Sequence, residues 1–192
     1  MHRLVICLFF ILIRFQPLHA QQLKVTVAYT TKPQAAYPLA IPYVKGGLLT
    51  IKNFQSIPEL DVDAVAITQS GFGYNLGFRR LGDEASININ VYCHFHPNKS
   101  WMKAEGKNAY ILSHEQLHFD ISYLIANRFI QKLKGANFTV TNYKSVINSI
   151  YNEMVNEMHD YQLQYDTQTN NAIDKVAQAD WKKSIQQQLE AL

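Results

Sequence analysis

From Leu23 to Tyr29 apolar residues fall on every second position, Leu23, Val25, Val27 and Tyr29, with Lys24, Thr26 and Ala28 between them. A period of two is the signature of a strand with one covered face. The same alternation returns from Ile87 to His96. Ile87, Ile89, Val91, Cys93 and Phe95 share one side, and Asn88, Asn90, Tyr92, His94 and His96 the other. That pattern predicts a half-buried antiparallel strand. Leu48 to Phe54 and Ala64 to Gln69 are shorter strand candidates. Phe72 to Phe78, punctuated by Gly71, Gly73 and Gly77, predicts a bent strand or hairpin. Pro33, Pro38 and Pro42 leave Thr31 to Pro42 as loop or sheet edge.

The period then changes to that of a helix. Ala109 to Lys134 forms the first, with Asn108 able to cap its start, Lys132 and Lys134 in the last turn and Gly135 as terminator. A second is predicted from Asn142 to Tyr165, with Ile147, Ile150, Tyr151, Met154 and Met158 on one stripe. A third runs from Ile173 to Leu192, with Trp181, Ile185 and Leu189 four apart. Strands first and helices later imply an α+β domain.

Of the 192 residues, 47% are apolar and 17% charged, which excludes wholesale disorder. The first twenty residues read as a secretory signal peptide. Arg3 supplies the charge, Leu4 to Ile13 the apolar run, and Leu18-His19-Ala20 the cleavage site. Ten apolar residues cover only about half of a bilayer core, which argues against an anchor. Residues 21–192 are then a single secreted or periplasmic domain, and N-terminal sequencing of exported protein should begin at Gln21. An intact Met1 would overturn that expectation and favour an anchor. Without Arg3 and Arg14 the charge falls from +3 to about +1, so the chain has no field with which to capture nucleic acid. Cys7 lies within the leader, leaving Cys93 without a partner and reading as a small buried hydrophobe.

The chemistry sits in the first helix, as HEQLH from His114 to His118. Four residues are about one helical turn, so both imidazoles project from one face and can grip one zinc ion. Glu115 is the candidate catalytic residue, a general base placed to take a proton from water activated by the metal. Ile121 and Ile125 continue the His114–His118 stripe, so that face is expected to be covered. Asp120 lies about 200° round the helix from His118, so it is read as a packing or supporting residue bonded to the C-terminal segment. His94 and His96 share a strand face, where they either form a second metal clamp or stand in solvent.

HEQLHFDI, from His114 to Ile121, resembles the bacterial domain of unknown function 922 family, whose members are regarded as secreted zinc-dependent proteases. Further stretches fit in order: LTIKNFQSIPE from Leu49 to Glu59, AVAITQSGFGY from Ala64 to Tyr74, NKSWMK from Asn98 to Lys103, YDTQTNN from Tyr165 to Asn171, and the closing stretch around Trp181. The resemblance implies a zincin-like fold, metallopeptidase chemistry and a peptide or protein substrate. It also puts Asp166 forward as third zinc ligand. Where the family pattern then reads Thr-Asn-His-Gly, this chain reads Thr169, Asn170, Asn171, Ala172, so Asn171 replaces an expected histidine and Ala172 an expected glycine. Either Asp166 makes the third contact or the site is degraded. His159, two turns before Asp166, is a further candidate.

The leading expectation is therefore a zinc metallopeptidase. Ile87 to His96 would serve as the edge strand on which an extended substrate pairs, with Asn88, Asn90 and Tyr92 lining the cleft. Two other readings are a non-catalytic envelope binding module on an inherited fold, favoured by Asn171 and Ala172, and a metal-binding protein without hydrolysis.

Overall fold

The computed structural model describes residues 22–192. The leader and its cleavage point lie outside the described residues. A sheet region comes first and three helices follow, an α+β arrangement. The strands are β1 (Gln22–Tyr29), β2 (Ile41–Pro42), β3 (Ala66–Ile67), β4 (Ser70–Leu81), β5 (Glu84–Phe95) and β6 (Trp101–Met102). The helices are α1 (Ala109–Gly135), α2 (Tyr143–Thr169) and α3 (Lys175–Glu190).

β5 is the spine of the main sheet. β1 lies parallel to it, in register from Gln22 opposite Glu84 to Tyr29 opposite Val91. β4 lies antiparallel along its whole length, from Ser70 opposite Phe95 to Leu81 opposite Glu84. β2 pairs with its end, at His94 and Phe95. The alternation predicted for this strand holds, with Ile87, Ile89, Val91, Cys93 and Phe95 essentially inaccessible. The expectation that it offers a free edge to substrate does not hold. Neighbours occupy both sides of β5, so its backbone groups have no capacity to pair with a peptide.

β4 and β5 form a hairpin through Gly82 and Asp83, where Gly82 takes the left-handed conformation at φ 59° that a tight reversal requires. The turn therefore lies beyond Phe78, and Gly71, Gly73 and Gly77 sit within one long strand. Leu48 to Phe54 is not a strand. The Asn53 carboxamide accepts from both the backbone N–H and the hydroxyl of Thr50, closing a 3-10 turn over Ile51–Asn53. Such local side-chain bonding competes with the extended form. Of Ala64 to Gln69 only Ala66 and Ile67 are strand, paired antiparallel with Met102 and Trp101 in a separate two-stranded sheet.

All three helices lie where the periodicity puts them. The Asn108 carboxamide accepts from the N–H groups of Tyr110 and Ile111, and Asp174 caps α3 in the same way through Val176 and Ala177. α1 is buried on nearly every side from His114 to Leu133, because the sheet covers one flank and α2 and α3 the other. Phe129 lies at that junction, fully buried, with its ring against Phe72, Tyr74 and Tyr151 at 5.5, 5.7 and 5.8 Å. Phe129→Ala should cost about 3–5 kcal/mol, since the lost transfer energy is joined by that of the cavity. Urea unfolding measures it. A loss below about 1 kcal/mol would mean that the three layers do not meet there.

Candidate metal centre

His114 and His118 are 4% and 8% exposed on α1, one turn apart. Asp166 reaches them from the last turns of α2. Its Oδ1 lies 3.2 Å from His114 Nε2 and 2.9 Å from His118 Nε2. One ligand atom from each residue lies within 4.8 Å of the others, and this is the only such group of three His, Cys, Asp or Glu side chains among the described residues. Two ligands about 2.0–2.1 Å from one tetrahedral ion stand roughly 3.3 Å apart, so the spacing suits a metal ion.

The rings are oriented from behind. His114 Nδ1 lies 3.1 Å from Gln178 Oε1, and His118 Nδ1 lies 3.3 Å from Gln162 Oε1. The NH₂ of Gln162 donates to Ser122 Oγ and that of Gln178 to the Tyr110 carbonyl. Both amide oxygens therefore face the imidazoles, Nδ1–H donates to each, and Nε2 is left for the metal. Tyr165 adds a wall. Its ring stacks on His114 at 4.6 Å, meets His118 edge-on at 5.0 Å, and its hydroxyl donates to the His114 carbonyl. Burial and the carboxylates of Glu115 and Asp166 push the Tyr165 phenol far up, so it stays protonated.

Glu115 is 4% exposed, and its Oε2 has no hydrogen-bond partner. It lines the same cavity of about 590 Å³ as His114, His118 and Asp166. A buried carboxylate oxygen left without a donor is costly, which argues for a partner that enters the cavity. Segment 63–68 forms one wall of the cavity and Asn171, Ala172 and Ile173 the far side. Asn170, Asn171 and Ala172 hold positive φ values of 47°, 48° and 70° in succession. Strain of this kind in non-glycine residues concentrates at functional sites.

Of the third-ligand candidates, the structure brings Asp166 to the histidines. Asn171 borders the cavity outside the ligand group, and His159 is exposed away from it. Seven residues return His159 to nearly the same stripe as Asp166 but leave it about 10 Å further along the helix axis. Asp120 supports the other end of the chain from the one expected. It accepts from Tyr43 Oη at 3.0 Å and Gln116 Nε2 at 2.8 Å, and Gln116 in turn accepts from the Leu49 N–H. Its hydrogen bonds thus tie α1 to the 43–49 loop, and α3 reaches it only through the charge of Lys182. Asn88 and Asn90 are exposed on β5 and border none of this cavity.

The His–Asp contacts give the metal-free protein a pH dependence. For His118, burial pushes the imidazole down, but the Asp166 hydrogen bond and the Glu115 and Asp166 charges outweigh it and hold it above its usual range. For Asp166, burial pushes up, and hydrogen bonds from His114 and His118 outweigh it and hold the carboxyl well below its usual range. A raised histidine contributes stability below about pH 6.5 and loses it as pH rises; a depressed carboxyl contributes above about pH 4 and loses it as pH falls. With chelator present, the melting temperature should therefore fall from pH 6 to pH 9, and fall less in Asp166→Asn. Identical slopes in the two proteins would refute the pairing.

Fold and site thus define an α+β domain in which two buried histidines and a half-buried aspartate form a cluster that can hold a metal ion. The sequence model of a family described as bacterial protein of unknown function (DUF922) matches residues 97–173, and the chain resembles that family. The matched span contains HEQLHFDI, Asp166 and Asn171, and stops short of Leu49–Glu59, Ala64–Tyr74 and Trp181. No curated protein and no solved structure matches the chain. Among the described residues no helix is long and apolar enough to cross a membrane.

Proposed function

We propose that this chain is a zincin-like zinc metallopeptidase, exported to the periplasm or beyond, that hydrolyses peptide bonds with Glu115 as general base. The observation that carries the reading is one cavity containing two oriented Nε2 atoms, the Asp166 carboxylate and an unpartnered Glu115 carboxylate oxygen. Zinc held by His114, His118 and Asp166 would supply the Lewis acidity that activates water and polarises a carbonyl. Glu115 accepts the proton of the attacking water and passes it to the leaving amine. Gln162 and Gln178 keep both rings in the ligating tautomer.

Segment 63–68 takes the substrate-aligning role expected of β5. β3 is paired with β6 on one side only, and its segment lines the cavity. An extended peptide adding to the open edge would run past Glu115. The test is hydrolysis of a broad peptide library by the zinc-loaded protein. Cleavage lost on chelation and restored by zinc supports the reading. Zinc-loaded protein that cleaves nothing would favour the non-catalytic binding module, for which Asn171 and Ala172, in place of the family's histidine and glycine, are the specific observation.

A further inference from the structure

On the outer face of the main sheet lies a second cavity, of about 270 Å³, walled by β4, the end of β5, the 31–40 loop and α2. His94 lines it. The residue is 2% exposed, and neither ring nitrogen has a hydrogen-bond partner. The reading of His94 and His96 as a solvated pair therefore fails for His94, whose buried imidazole has neither water nor protein to satisfy it. The surrounding fold accommodates the arrangement. Tyr92 stacks on His94 at 4.8 Å, and this is possible because residue 73 is glycine: an added Cβ would lie 2.6 Å from the Tyr92 hydroxyl. Gly71, opposite His94 in the β4–β5 register, faces open space. His96 borders the same cavity two residues on, with Tyr37 against its ring at 4.9 Å, and the Met158 thioether borders it from α2.

We propose that His94, His96 and Met158 form a second metal site, separate from the HEQLH centre, which takes a soft monovalent ion of the copper(I) class. The donor set selects the ion. Two imidazoles and a thioether are neutral, the thioether is soft, and no carboxylate or thiolate lines the cavity to neutralise a hard dication. The ring centroids stand 6.5 Å apart. With metal–nitrogen bonds of about 2 Å, two imidazoles on one ion approach that separation only when nearly collinear, a geometry that a filled-shell monovalent ion accepts and a tetrahedral zinc site does not. Tyr37, Tyr92 and Tyr151 complete an aromatic wall favourable to a desolvated cation.

Silver(I) is the redox-inert probe. The experiment titrates it into the zinc-loaded full chain by competition, while following the histidine ring resonances by NMR. The expected result is one silver ion per chain, with the His94 and His96 resonances shifting together. His96→Ala should weaken binding by at least about 100-fold, since even a ligand's hydrogen-bond partner is worth 10–100-fold. Met158→Leu should weaken it less, and Asn171→Ala, beside the HEQLH centre, should leave it unchanged. Silver binding that leaves the His94 resonances unmoved in the wild type, or that survives His96→Ala undiminished, overturns the proposal. Neither readout depends on peptide hydrolysis, so failure here and failure of the peptidase reading are distinguishable.

Discussion

Glu115→Gln should lower peptide hydrolysis by about 10²–10⁴-fold at equal zinc occupancy, the range that general acid–base catalysis contributes. The substitution keeps the shape of the side chain and removes its ability to accept a proton. Glu115 stands one residue after His114, about 100° round α1, so it meets the cavity from beside the ligands without joining them. Zinc content should therefore be unchanged. Folding stability should hold or rise slightly, because the variant buries a neutral amide where the wild type buries a carboxylate with one oxygen unpartnered. Equal cleavage by the two proteins would remove Glu115 from the mechanism.

The second large effect concerns the metal itself. Asp166→Ala and His118→Ala should each weaken zinc binding by well over 100-fold, because each deletes one of three protein ligands and supporting residues alone are worth 10–100-fold. His159→Ala and Asn171→Ala should leave zinc affinity unchanged, His159 being exposed on α2 and Asn171 outside the ligand cluster. Competition with a chromophoric chelator separates the two groups. Loss of zinc in His159→Ala, with retention in Asp166→Ala, would reverse the assignment of the third ligand.

Much of this was legible in the chain because the signals were local. Asn108, the 3.6 period and Gly135 marked α1 to within a residue, and HEQLH needed only helical spacing to bring His114 and His118 to one face. The neighbours of β5 were not legible. Alternation reports which face of a strand is covered, and says nothing of which of its edges is paired, so β1 and β4 on either side of Ile87–His96 could not be read from it. Leu48 to Phe54 was misleading for another reason: its apolar content suited a strand, while the Thr50–Asn53 side-chain bonds drew the backbone into a turn. Gln162 and Gln178 carried no signal, since they reach the histidines across 44 and 64 residues of chain. The burial of Tyr165 follows from its place on the apolar stripe of α2, while its stacking on His114 carried no signal beyond its position directly before Asp166.

The proposed chemistry requires one zinc ion where His114, His118 and Asp166 converge. Elemental analysis of the purified protein, with zinc-edge X-ray absorption on the wild type and on Asp166→Asn, tests it most directly. The expected result is close to one zinc per chain, bound by two imidazole nitrogens and a carboxylate oxygen at about 2.0–2.2 Å, with an altered oxygen shell and lower occupancy in Asp166→Asn. Protein purified from zinc-replete growth without zinc, or with a wild-type spectrum surviving in His118→Ala, would contradict it.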